Sequence, residues 1–133
     1  MNPSQQPSMP ETSSPPTAAL AHRAVQFLLE RKVNDVVMLG LSEVSDMTDY
    51  FIIASGTSDT HVRASAQHVI DEMKKEGNAV YHVEGLQQGR WVVLDYVDFV
   101  VHVFHPTLRS FYQLERLWSD AEVISIDQRG IGS

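Results

Sequence analysis

The stretch WVVLDYVDFVVHVF, residues 91–104, is the part of this 133-residue chain that decides its fold class. It is too long for one simple strand, and it is rich in the β-branched and aromatic residues that favour strands. The pattern predicts a β-hairpin with strands at 91–95 and 99–104 and a turn at Tyr96-Val97-Asp98. Because such a hairpin is apolar, other elements must cover it, and the flanking sequence is expected to supply them.

The flanking sequence predicts helices and strands on both sides of the hairpin. Apolar residues recur at helical spacing in some segments and form short buried-strand runs in others. The predicted helices span 17–32, 58–76 and 106–118, and the other predicted strands span 35–42, 49–55 and 79–84. Ser58 is the expected N-cap of the second helix, and Gly77 is expected to end it.

The order αββαβββα predicts an α/β (α+β) fold in which a mixed sheet of about five strands is flanked by helices. Strands and helices do not alternate strictly, which argues against a Rossmann fold. Residues 17–119 are expected to form one domain. Residues 1–16, rich in Pro, Ser and Gln, are predicted to be a disordered tail. Residues 120–133 are predicted to be a loosely ordered tail with a short extended piece at 123–126.

Composition excludes several classes of function. The chain has no Cys, so disulfides, thiolate metal sites and a Cys nucleophile are excluded. Its formal net charge is −7, which argues against direct binding to nucleic acid but not against a basic protein partner. No apolar run approaches the roughly 20 residues that span a bilayer. Residues 1–16 lack Lys and Arg, unlike a secretory or transit peptide, so we expect a cytoplasmic protein without membrane contact.

The first hairpin strand carries large apolar groups on both faces. Side chains alternate along a strand, so Trp91 and Asp95 point one way and Leu94 points the other. If only one face packed on a helix, the exposed one would be an anchor for a partner. If helices covered both faces, the same pattern would describe a central strand. The residues alone leave these two interpretations about even.

Acidic residues cluster near the hairpin and upstream of it. Asp95 and Asp98 flank the turn, and no Lys or Arg occurs between Lys32 and Arg63, where several carboxylates do. Carboxylates around an apolar patch suit a partner with exposed Lys or Arg. Solvated loop acids are the commoner explanation for any single one of them.

Catalysis, metal binding and cofactor binding receive little support. Two-metal nucleotidyl transfer needs carboxylates on one face, at i and i+2 of a strand, and no predicted strand has them. Gly56-Thr57-Ser58 before a helix suggests either a phosphate cradle or, more simply, a helix cap. The His residues are too scattered for a metal site, and His102 is expected to be buried and hydrogen-bonded. We therefore predict a protein that is not an enzyme and needs no cofactor.

Five segments, taken together, resemble the ribosomal silencing factor (Iojap/RsfS) family. They are DVV from Asp35, DYFIIASGTS from Asp49, VEG from Val83, the hairpin from Trp91, and RSFYQLERLW from Arg109. The resemblance covers about residues 18–125, and the hairpin followed by FYQLERLW is its most specific part. The chain departs from it at Val97, where many relatives have Gly in the turn. A β-branched residue disfavours the positive φ that such turns require.

The resemblance implies a fold similar to nucleotidyltransferases and a non-enzymatic function. Relatives bind the large ribosomal subunit through ribosomal protein uL-fourteen, block its association with the small subunit, and lower translation when nutrients are short. The resemblance favours a partner-binding site at Trp91, Leu94, Asp95, Tyr96 and Asp98. The remaining alternatives are a nucleotidyltransferase-like nucleotide-binding protein and a dimerisation module. A homodimer of the free protein is also expected, because a two-fold interface would cover the hairpin.

Overall fold

The structure, a computed structural model, describes residues 14–41, 46–108, 121–124 and 126. In chain order its helices and strands are α1 (Ser14–Glu30), β1 (Asn34–Gly40), β2 (Tyr50–Ser55), α2 (Asp59–Lys75), β3 (His82–Glu84), β4 (Trp91–Asp95), β5 (Phe99–Phe104) and β6 (Glu122–Ile124). Residues 106–108 are also helical, as predicted for the start of a last helix. Positions 109–118 of that predicted helix lie outside the described residues.

The strands form one mixed sheet in the order β3-β4-β5-β2-β1-β6. β2 and β5 are parallel and in register from Tyr50 opposite Phe99 to Ser55 opposite Phe104. The other neighbouring pairs are antiparallel. The predicted mixed sheet with flanking helices is confirmed, with six strands where about five were expected.

The main core lies between one face of the sheet, called here the helix face, and the two helices. α1 and α2 pack against each other and against the central strands. Alternate residues of β4 and β5 enter this core, and Val92, Leu94 and Val101 have no exposed surface. Fully burying an aliphatic side chain of this size stabilises the fold by about 1.5–3 kcal/mol.

The opposite face of the sheet, called here the second face, is also apolar. Leu39, Leu41, Ile53 and Phe104 are buried in a separate cluster there. Half-buried Trp91 and Leu108 pack against this cluster. The hairpin is therefore apolar on both sides because each side joins a different hydrophobic cluster.

The capping of α2 follows the sequence prediction. The Ser58 hydroxyl accepts a hydrogen bond from the backbone N–H of His61 at 3.1 Å. Gly77, with φ of +91°, donates its N–H to the carbonyl of Lys74. Only glycine adopts this left-handed conformation without a steric cost, so the helix ends there.

The predicted starts of α1 and β3 are wrong. α1 begins at Ser14 rather than Thr17, because prolines at positions 15 and 16 fall in the first turn, where a helix does not use the missing N–H. β3 spans only His82–Glu84 instead of the predicted 79–84, because the chain enters the sheet at His82. The short extended piece predicted at 123–126 overlaps the strand Glu122–Ile124, which pairs with β1 and extends the sheet.

Candidate partner-binding site

The turn between β4 and β5 has an unusual backbone. The N–H of Asp98 donates to the carbonyl of Tyr96 at 2.9 Å, which closes a three-residue γ-turn around Val97. Val97 has φ of +75°. A carboxylate oxygen of Asp95 accepts from the N–H of Val97 at 2.7 Å, and the N–H of Tyr96 donates to the carbonyl of Phe99 at 2.9 Å, so the turn is held by three hydrogen bonds. The Val97 side chain is 52% exposed.

A groove of about 590 Å³ opens beside this turn on the second face. It is lined by Met47, Thr48, Phe51, Tyr81, Asp95, Val97 and Val100. Met47 is 89% exposed and Tyr81 is 75% exposed. Together with Val97 they are three of the four large exposed hydrophobic residues found in the described part of the chain. Single exposed apolar residues are ordinary, but a cluster around one groove indicates a binding surface.

Asp95 lines this groove, and three further carboxylates are close in sequence to residues that line it: Asp46 and Asp49, which flank Met47 and Thr48, and Asp98, which follows Val97. These four carboxylates are called here the acidic rim. The N–H of Asp49 donates to the carbonyl of Asp98 at 2.8 Å, which brings residues 46–49 beside the hairpin turn. Asp46, Asp49 and Asp98 are exposed, and Asp95 lines the groove itself. Among the described residues that line the groove there is no Lys or Arg. The surface therefore favours a cationic partner.

Of the five predicted site residues, Asp95 lines the groove, Asp98 follows the groove residue Val97 in the chain, and Leu94 is not at the groove. Asp95 and Asp98 belong to the acidic rim. Leu94 is fully buried and stands opposite Val101 in the helix-face core. Its predicted contact with a partner is wrong, because side chains alternate and one strand cannot turn Trp91 and Leu94 to the same surface.

Tyr96 serves the core rather than the groove. Its ring stacks on Phe99, with 4.9 Å between ring centroids and 12° between the planes. The hydroxyl is buried and has no hydrogen-bond partner among the described residues. This burial raises the pKa of Tyr96 to about 12. The predicted exposed tyrosine anchor is therefore not found, since the ring and hydroxyl both point into the protein.

Trp91 lies on the second face, at the other end of β4 from the groove. Its ring stacks on Phe104, with 5.1 Å between centroids, and its indole N–H donates to Nδ1 of His102 at 3.1 Å. His102 in turn packs edge-on against Phe51, which lines the groove. Trp91 therefore supports the floor of the groove through His102 instead of forming its wall.

His102 is buried and hydrogen-bonded, as predicted from its apolar strand. It is 7% exposed, and this burial lowers its pKa to about 4. The ring is therefore neutral at pH 7. Because Nδ1 accepts the Trp91 bond, the ring proton is assigned to Nε2, which is buried without a partner among the described residues.

Sequence reasoning missed six residues that line the groove: Met47, Thr48, Phe51, Tyr81, Val97 and Val100. Phe51 and Val100 are direct partners in the parallel β2–β5 pairing. The alternation of β2 and β5 was the available signal for these two, since it turns them both away from the helix face. Met47 and Tyr81 lie outside the strands, where no periodic pattern applies.

The start of α2 is a helix cap in this structure. The N–H of Thr57 donates to Nδ1 of His61 at 2.9 Å, and the N–H of His61 is bound by Ser58. These two N–H groups are thus used within the chain. Within the described ranges no group of three or more His, Asp or Glu is placed to hold a metal ion. In the same residues, no helix has the length and apolarity that crossing a membrane requires.

The fold and the groove together define a small α/β domain with an apolar groove beside several carboxylates. Comparison with known proteins makes this specific. The family model described as "Ribosomal silencing factor during starvation" (RsfS) matches residues 13–132. The chain belongs to this RsfS family, as its motifs predicted.

Individual relatives agree with this assignment. Ribosomal silencing factor RsfS of Bacillus subtilis is 40% identical over 98 residues, which cover 74% of this chain and 83% of the relative. RsfS of Halalkalibacterium halodurans is 36% identical over 108 residues, which cover 81% and 92%. A crystal structure of a Chromobacterium violaceum protein superimposes with a TM-score of 0.76 at 32% identity, covering 77% of this chain and 86% of that one.

Proposed function

We propose that this protein binds the large ribosomal subunit through ribosomal protein uL-fourteen, blocks its association with the small subunit, and thereby lowers translation when nutrients are limiting. Family membership supports a ribosomal role in general. The observation that carries the proposed mode of binding is the convergence of Met47, Tyr81 and Val97 on one acid-rimmed groove. A ribosomal target places the proposed action in the cytoplasm.

The groove supports a protein partner with a basic surface. Apolar residues at the centre of an interface supply most of its affinity, and charges at the edge supply orientation and speed of encounter. Ribosomal proteins expose many Lys and Arg side chains, which would meet the acidic rim. The negative charge of the chain, −7, disfavours ribosomal RNA as the direct contact.

The proposed mechanism requires no chemistry. A folded domain of this length is about 30 Å across, judged from its expected radius of gyration. A body of that width on the subunit-joining surface excludes the small subunit sterically. Inhibition then follows mass action, and excess small subunits should displace the protein.

A sedimentation gradient of ribosomes with and without the protein tests this function. Added wild-type protein should lower the joined-ribosome peak, raise the free-subunit peaks and migrate with the large subunit. A Met47→Ser, Tyr81→Ser double variant should lose this effect while staying folded, because both side chains are mostly exposed. Val123→Ser, on the opposite edge strand, is the matched control and should act like the wild type. Migration of the protein with joined ribosomes, with unchanged free subunits, would contradict a steric block.

A further inference from the structure

The γ-turn requires a positive φ at its central residue, and Val97 is a residue type that is strained in that conformation. Its φ of +75° lies in the region that L-residues avoid, and a branched β-carbon makes the conformation worse. Lys32 and Asp35 are the other non-glycine residues with positive φ in the described ranges, and neither is β-branched. Strained backbone of this kind is concentrated at functional sites.

The hydrogen bonds of the turn are independent of the valine side chain. Their donors are the N–H groups of residues 96, 97 and 98, and their acceptors are the carbonyls of Tyr96 and Phe99 and the carboxylate of Asp95. Glycine at position 97 would form the same bonds without strain. The isopropyl group is about half exposed and lines the groove, so folding alone gives little reason for it.

We infer that Val97 is an affinity-determining contact: the γ-turn holds its isopropyl group at the edge of the groove, against an apolar side chain of the ribosomal partner. This inference rests on the proposed function and names the chemistry that the partner must offer. An apolar side chain should enter the groove beside Val97, and adjacent Lys or Arg side chains should face the acidic rim. The charge of the rim and the absence of a cation among the described lining residues argue for this partner.

Two substitutions separate the side chain from the backbone. Val97→Ala and Val97→Gly both remove the isopropyl group, so both should bind purified uL-fourteen about tenfold more weakly, as expected for the loss of an interface anchor. The Val97→Gly protein should be more stable than the Val97→Ala protein, which reverses the usual order of the two residues. Glycine normally destabilises a protein relative to alanine, but at positive φ it should raise the melting temperature above that of Val97→Ala by about 2–5 °C.

Val123→Ala is the matched control for binding. Val123 is 70% exposed on β6, at the opposite edge of the sheet, and its truncation should leave affinity unchanged. The measurements are isothermal titration calorimetry with uL-fourteen and thermal unfolding of each variant alone.

Each outcome decides a different point. Equal affinity of wild type and both Val97 variants would overturn the inference and leave the proposed function standing. Weaker binding by only one of the two variants would also overturn it, because the isopropyl group is absent from both. A Val97→Ala protein at least as stable as Val97→Gly would overturn the strain argument. Failure of the wild type to bind uL-fourteen would instead reject the proposed function.

Discussion

The indole nitrogen of Trp91 donates a hydrogen bond to Nδ1 of His102 across the β4–β5 pairing, with 3.1 Å between the two nitrogens. This bond fixes the tautomer of a histidine that is almost completely buried on the second face. The protonated ring could not accept it, so the indole and the imidazolium would present donors to each other. Lowering the pH should therefore destabilise the fold, because protonation of His102 breaks this hydrogen bond.

The pH dependence of stability should reflect His102. Burial lowers its folded-state pKa to about 4, whereas the unfolded value is about 6.5. The unfolded chain therefore binds the proton more readily, so the stabilising contribution is fully present above about pH 6.5 and is lost as the pH falls towards 4. The free energy of unfolding should decrease by about 1 kcal/mol for each pH unit in this window. Urea titrations at pH 7, 5.5 and 4.5 measure it.

His102→Asn is the control for that measurement. Its amide oxygen can replace Nδ1 as the acceptor for Trp91, but it does not titrate. The other acidic groups and histidines remain, so the difference in pH slope between variant and wild type isolates His102. Identical slopes for the two proteins would mean that His102 does not carry the effect.

Trp91→Phe should destabilise the fold without changing the shape of the groove edge. The ring can still stack on Phe104, but His102 loses the hydrogen bond that its Nδ1 accepts from Trp91 and keeps a buried acceptor. Leaving a buried polar atom unpaired costs about 1–3 kcal/mol. Chemical denaturation should show a loss in that range. Affinity for uL-fourteen should fall less than tenfold if Trp91 acts only by supporting Phe51, and a larger loss would make Trp91 a direct contact.

Tyr96→Phe should stabilise the protein or leave its stability unchanged. The hydroxyl is buried without a partner among the described residues, so removing it relieves a desolvated polar group. The stacking on Phe99 is retained. We expect a gain of up to about 1 kcal/mol in the free energy of unfolding, and unchanged partner binding. Weaker binding by this variant would show that the Tyr96 hydroxyl contacts the partner.

The acidic rim should make ribosome binding sensitive to salt. The double variant Asp46→Asn, Asp98→Asn removes two exposed charges and should bind more weakly at low salt, with a shallower dependence of affinity on salt concentration. Asp71→Asn is the matched control, since it removes an exposed charge from α2, on the other side of the sheet. Equal salt dependence in all three proteins would exclude the rim from the interface.

Self-association of the free protein should use the same groove. A reversible homodimer would cover Met47, Tyr81 and Val97 when no ribosome is present, because a two-fold interface uses one patch twice. Equilibrium sedimentation of the wild type should detect dimers at high micromolar concentration, and the Met47→Ser, Tyr81→Ser variant should be shifted towards monomer. A wild type that stays monomeric throughout that range would reject this prediction.

The sequence predicted local elements well because their signals are local. The length and β-rich composition of residues 91–104 predicted both strands of the hairpin, and Ser58 marked the start of α2. The prolines at positions 15 and 16 led to the wrong predicted start of α1, because the pattern does not distinguish a proline in the first turn of a helix from one before it. The same ambiguity affects any helix that begins with proline.

The site was predicted only in part because it depends on distant pairings. Side chains alternate along β4, so the sequence alone places Trp91 and Leu94 on opposite faces of the sheet. Which of these two faces the helices cover is decided by the packing of α1 and α2. Phe51 and Val100 become neighbours only through the parallel pairing of β2 and β5. The valine at position 97 argued against a positive φ in the turn, but Val97 adopts one, because the backbone hydrogen bonds of the turn outweigh the preference of its side chain.

The parallel pairing of β2 with β5 also has a consequence for how the chain folds. The antiparallel neighbours β1–β2 and β4–β5 are joined by short connections, so each can form early at a small entropic cost. The β2–β5 seam must instead close a loop that contains α2, β3 and β4. Non-local pairings of this kind slow folding. We therefore expect the rate-limiting event to be the joining of two preformed halves along the centre of the sheet.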